Sequence, residues 1–191
     1  MHLNINLDWL SAKGLPILGL DISTTAVKLV ELSDAGKGML RVDRYVIEPL
    51  PKDAVTDGNI ANLDQVAEVL RTAWKNLGTR IRNVALALPS SAVITKKILA
   101  PASLKGLDLE NQVEAEANQV IPFSLDEVNL DFQVLGPSPS SPDDVQILLA
   151  AARKEKVEDR VAAVEAAGLK ALVMDVESYA TQTAYEQIAH L

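Results

Sequence analysis

The sequence predicts an α/β fold: a mixed sheet with a smaller α+β unit inserted into it. Three observations carry this. Residues Ile17–Ser23, Val27–Ser33 and Met39–Ile47 are short apolar, β-branched runs joined by tight turns, the pattern of an antiparallel meander. A helix with start and stop signals at both ends follows, and then a buried strand. Beyond it, a β-α-β-β-α block of different texture precedes a final strand and helix.

Each element has its own reason. Ile17–Ser23 is a short apolar run with β-branched ends, and Ser23-Thr24-Thr25 turns the chain into Val27–Ser33. Asp34-Ala35-Gly36-Lys37-Gly38 supplies the next turn; it lacks the glycine spacing and following helix of a phosphate loop, so a hairpin turn is expected. Pro49 and Pro51 end Met39–Ile47. Asn62 is a suitable N-cap with Gln65 three residues on, Leu63, Val66, Leu70, Ala73, Trp74 and Leu77 repeat at helical spacing, and Gly78 suits the C-cap. Asn83–Leu88 is a buried strand stopped by Pro89-Ser90-Ser91, serines with no nearby base or glycine elbow. The order β-β-β-α-β is that of the ribonuclease H-like half-unit of actin-type ATPases, a fold-level analogy.

In the next block, Val93–Ala100 is a strand, and Asp108 is expected to cap a helix carrying Leu109, Val113, Ala117 and Val120 and stopped by Pro122. Glu127–Leu135 and Val145–Ala152 are strands around the surface loop Pro137–Pro142. Glu155–Ala167 is an amphipathic helix through Val157, Val161 and Val164, closed by Gly168. Leu169–Val176 resumes a buried strand, and Ser178 is expected to cap Tyr179–Ala189. The expected division is an arm at 1–16, a main subdomain at 17–91 and 169–191, and an insertion at 92–168.

Composition narrows the chemistry. The 191 residues are 48% apolar and only 4% aromatic, so the core must be built from Val, Leu, Ile and Ala. Without cysteine there is no disulfide or thiolate site, and the two histidines, His2 and His190, lie at opposite ends, which argues against a His-based triad. A formal charge of −8 without a basic stripe argues against nucleic acid and anionic membrane. No apolar run approaches the roughly 20 residues that span a bilayer. The alternating start, Leu3-Asn4-Ile5-Asn6-Leu7, reads as an arm covering a sheet edge, with a docking segment as the second reading.

The residues with most chemical content form the turn Asp21–Lys28. An acid ends one strand, Ser23, Thr24 and Thr25 make the turn, and Lys28 lies on the next strand. Hydroxyls and backbone N–H groups can contact a phosphate, Lys28 offers charge, and Asp21 can hold hydrated Mg²⁺. A polar hairpin with a stray acid is the competing reading. Asp175 and Glu177 stand at the C-terminal end of a strand, where open α/β sheets place ligands; Glu177 also suits a helix N-terminus.

Several blocks together resemble the PilM family, actin-like cytoplasmic proteins of type IV pilus assembly. They are Ile17–Leu32, Val93–Lys96, Glu114–Phe123, Leu125–Val128, Ala150–Glu155 and Val173–Ala180. The resemblance implies an actin-type subdomain 1A with an inserted subdomain 1C like that of FtsA, the cell-division relative of actin. It implies that Asp21, Ser23, Thr24, Thr25 and Lys28 form the first phosphate loop for ATP, with Mg held through water on Asp21. Such loops usually have glycine where Ser23 stands. Asp175 and Glu177 fall where relatives carry the acid that orients water or metal, Glu177 matching better. The second phosphate loop and the adenine pocket are missing, so the chain is expected to be an N-terminal half, shortened or from a split reading frame, and to hold half an ATP site.

The resemblance further implies a cytoplasmic protein, peripheral at the inner membrane through its partners, that binds the cytoplasmic tail of PilN in a groove between 1A and 1C and so joins the pilus alignment complex. Self-association through the arm is a subsidiary expectation. Enzymatic activity is expected to be at most weak ATP hydrolysis in the full-length protein. An FtsA-like membrane tether and an ATP-dependent sugar kinase are the alternatives.

Overall fold

In a computed structural model, which describes residues 15–189, the strands β1 (Leu18–Ile22), β2 (Ala26–Gly36) and β3 (Met39–Pro49) form the antiparallel meander. Leu18, Leu20 and Ile22 are buried, as are Val27 and Leu29 on the paired strand. A two-residue-per-strand hairpin follows, β4 (Val55–Thr56) and β5 (Asn59–Ile60), turning through Asp57 and Gly58 at φ 50° and 77°. This hairpin is an addition to the expected elements. The Asp-Gly dipeptide is its one sequence signal, and the strands are too short to show alternation.

Helix α1 (Leu63–Leu77) begins and ends as expected. The Asn62 side chain accepts the Gln65 N–H at 3.0 Å, and Gly78 ends the helix in the left-handed region. Val66, Ala67, Leu70, Ala73 and Leu77 make its buried stripe. Arg44 reaches from β3 to the Gly78 carbonyl at 2.8 Å, placing a cation at the helix's negative end. Trp74 is a packing residue, its Nε1 donating to the Ile81 carbonyl at 2.7 Å under the Arg82 guanidinium. β6 (Asn83–Leu88) completes this part of the chain.

Residues 91–154 form a compact unit of their own. It contains β7 (Val93–Pro101), α2 (Leu107–Val120), β8 (Val128–Pro137) and β9 (Asp144–Arg153), with an antiparallel sheet in the order β7-β9-β8. Ile98, Ala100, Ile147, Leu149 and Ala151 from the sheet close on Val113 and Ala117 of α2 and on Ile121. The helix starts one residue before the expected Asp108 cap. Gly106 occupies the cap position at φ 55°, ψ −132°, which a side chain disfavours, and Asp108 becomes a first-turn acid.

The chain then returns through α3 (Lys154–Ala166), β10 (Lys170–Val176) and α4 (Glu177–Ile188). These pack with the first-described elements, so the division expected at residue 168 falls at 154. The reason lies in hydrogen bonds: Arg71 of α1 donates to the Ala166 carbonyl at 2.9 Å, and Arg160 of α3 donates to carbonyls of Ile22 and Gly58. β10 lies parallel to β6, and β6 parallel to β1, giving the order β10-β6-β1-β2-β3. That order is the ribonuclease H-like arrangement expected from the element sequence. α4 begins at Glu177 rather than Tyr179; Val176 occupies the cap position without a side-chain bond, and Glu177 serves the first turn.

Candidate functional site: the turn between the first two strands

The turn between β1 and β2 is built by backbone and serine together. Ser23 N–H donates to the Ala26 carbonyl at 3.0 Å, and Ser23 Oγ donates to the same oxygen at 2.9 Å. The Ser23 hydroxyl proton is therefore used inside the turn. Leu50 N–H ties down Thr25 through its carbonyl at 2.9 Å. Thr24 and Thr25 are exposed and line an open depression of about 430 Å³, shared with Lys52, Asp53, Thr56 and Asp57.

Asp21 and Lys28 are partners in the hairpin register, and the Lys28 ammonium donates to the Asp21 carboxylate at 2.6 Å. Both side chains remain exposed, at 41% and 48%. The ion pair explains the acid and lysine flanking the turn as a cross-strand pair. It also leaves both groups accessible to a ligand. The turn carries two exposed threonine hydroxyls and the strands flanking it a half-exposed ammonium and carboxylate, though neither Asp21 nor Lys28 lines the depression. Hydroxyl, ammonium and carboxylate are residue chemistries able to contact a phosphate and hydrated Mg²⁺. The described residues contain no group of three or more His, Cys, Asp or Glu side chains arranged to hold a metal.

Behind the turn lies Arg160, which the sequence reading missed. It is 3% exposed, and its guanidinium donates to Gly58 O at 2.9 Å and to Ile22 O at 3.5 Å. Burial pushes its pKa down, and the nearby carboxylates of Glu177, Asp21 and Asp159 oppose that shift. Asp21 and Glu177, expected site acids from β1 and α4, thus act on the charge of this buried cation, whose hydrogen bonds go to backbone carbonyls. One sequence signal was available: Arg160 stands on the same helical face as Val157 and Val164, where an apolar residue is the norm.

Asp175, near the end of β10, accepts the Val176 N–H through its own carboxylate at 2.7 Å. Burial raises its pKa, and that hydrogen bond offsets part of the rise. The folded protein thus holds its proton to higher pH than the unfolded chain does, so stability falls as pH rises through the carboxylate range. Asp175→Asn is expected to raise the melting temperature at pH 7 and to leave it unchanged at pH 3, where both states are protonated. Thermal unfolding at the two pH values checks this. An equal gain at both would assign the effect to something other than ionisation.

Residues 19–191 match the family model described as type IV pilus assembly protein PilM. Among solved structures, the chain is similar to one from the PilM-PilN type IV pilus biogenesis complex, at 33% identity and a TM-score of 0.78, covering 90% of this chain and 50% of that one. It also resembles the cytoplasmic domain of EpsL, an inner membrane component of the type II secretion system of Vibrio cholerae, at 13% identity and a TM-score of 0.51, covering 83% of this chain and 56% of that one. The second likeness is one of fold. The chain spans about half the length of the first. No helix among the described residues is long and apolar enough to cross a membrane. With the ribonuclease H-like sheet, the three-stranded insertion and a family match over nearly its whole length, this chain belongs to the PilM family of type IV pilus assembly proteins.

Proposed function

We propose that this chain is a cytoplasmic component of the type IV pilus inner-membrane assembly complex, and that it binds the cytoplasmic tail of a PilN-type membrane protein in a groove bounded by the five-stranded and three-stranded units. The observation that carries this is the 33% identity over 90% of the chain to a chain from a PilM-PilN complex. Both folded units fall within that similarity. The protein reaches the membrane through this partner.

The turn at Asp21–Lys28 is the second part of the proposal. In a chain of the relatives' full length it holds the phosphates of ATP, with Thr24, Thr25 and Lys28 on the phosphate and Asp21 toward Mg²⁺. Glu177, at the start of α4, is the acid placed to orient water or metal. Here the exposed hydroxyls and half-open ion pair supply one side of the site.

Calorimetry separates the two parts. The 191-residue chain is expected to bind a PilN-type tail peptide saturably, and to bind Mg·ATP weakly or not at all. Absence of peptide binding by folded protein would sink the first part. Micromolar ATP affinity in this chain would sink the half-site description.

A further inference from the structure

Arg160 joins two segments far apart in sequence. One is the end of β1 at Ile22, which leads directly into the Ser23–Thr25 turn; the other is Gly58, at the tip of the β4–β5 hairpin. Thr24 and Thr25 from the turn and Thr56 and Asp57 from the hairpin line one depression. The guanidinium is thus bonded to two of the segments that line that depression, the third being residues 50–53. Its forked, planar donors can serve two carbonyls at once, which a lysine ammonium on a flexible stem does less well. The hairpin's base is held by buried Val55 and by the Ala61 and Asn62 N–H groups on the Ala54 carbonyl, whereas its tip at Gly58 is bonded by Arg160. The hairpin has two residues per strand, and Gly58 lies against Pro89, where a built Cβ would come within 2.9 Å of the ring.

A buried cation is costly unless its position is useful or well compensated. The carboxylates whose charge favours its ionised form, Glu177, Asp21 and Asp159, include two acids of the proposed phosphate site. We infer that Arg160 is a positioning residue that locks the Ser23–Thr25 turn to the β4–β5 hairpin, so that a phosphate-bearing ligand at the turn also orders the hairpin. The ligand in this inference rests on the phosphate reading of the turn; the lock itself does not.

Amide hydrogen exchange on the full chain tests it with Arg160→Lys, which keeps the charge, and Arg160→Met, which removes it. Without ligand, both variants are expected to exchange about tenfold faster at Ser23 and at residues 56–61 together, while α1 and β6 keep their rates. Faster exchange throughout the five-stranded unit, at one segment only, or at neither, would overturn the lock. Magnesium tripolyphosphate, added to a chain of the relatives' full length, is the ligand probe. It is expected to protect turn and hairpin in the wild type and the turn alone in Arg160→Lys. Protection of both in that variant overturns the role of Arg160. No protection in the wild type overturns the phosphate reading, and the ligand-free rates still decide the lock.

Discussion

Leu70→Ala is expected to destabilise the five-stranded unit by about 2–5 kcal/mol, the largest effect of any single side-chain truncation proposed for this protein. Leu70 is fully buried at the centre of the α1 stripe, between Val66 and Ala73, and α1 packs on β2 and β3. The core has few aromatics to fill a void, since only 4% of the residues are aromatic, so the space left by the leucine is expected to persist. Tyr45→Ala is the control: its side chain is 73% exposed on β3, and the change should stay within about 0.5 kcal/mol. Denaturant titration of the two variants measures the difference. A Leu70→Ala cost no larger than the Tyr45→Ala cost would contradict the packing described here.

Asp21→Ala is expected to separate stability from ligand binding. Its ion pair with Lys28 is well formed but solvent-exposed, so the pair contributes only about 0–1 kcal/mol, and the melting curve should move little. In a chain of the relatives' full length, loss of the carboxylate should weaken Mg·ATP binding about tenfold or more, because a charge-assisted contact in the coordination shell is lost. Titration with and without Mg²⁺ makes the test sharper. An Mg-dependent loss supports the role given to Asp21. Unchanged affinity would make the turn a cross-strand ion pair and nothing more.

Much of this fold is legible in the sequence because its local signals agree with its tertiary contacts. Asn62 with Gln65 announces α1 and Gly78 ends it; the Asn62 side chain takes the Gln65 N–H as predicted, while the Asn62 N–H donates to the Ala54 carbonyl in place of the reciprocal capping-box bond. The β1–β2 register follows from a tight polar turn, which is why Asp21 and Lys28 could be placed together in advance. What stayed hidden depends on contacts across long sequence distances. Nothing local assigns α3 to the five-stranded unit; Arg160 does so through a carbonyl 138 residues away. The two-residue strands of the β4–β5 hairpin are too short to carry a pattern, and Arg160 bonds its tip from 102 residues away. The cap positions at Gly106 and Val176 were misplaced because Asp108 and Ser178 are better caps by residue type than by backbone position. The expected arm at residues 1–16 lies almost wholly outside the described residues.

The candidate site shows the same division. Its exposed groups, Thr24, Thr25, Lys28 and Asp21, were visible as a motif, while the buried group behind them was not. The Ser23 hydroxyl closes the turn on the Ala26 carbonyl. Such a side chain fits a turn held rigid for other reasons, and Arg160 supplies one.

The central claim is that both units take part in binding one peptide. The most direct measurement is titration of the isotope-labelled chain with a PilN-type tail peptide, followed by amide chemical shifts. Saturable shifts at residues of both the five-stranded unit and the 91–154 unit, with one shared affinity, are the predicted result. Shifts confined to one unit, or no saturable shifts while the protein stays folded, would contradict it.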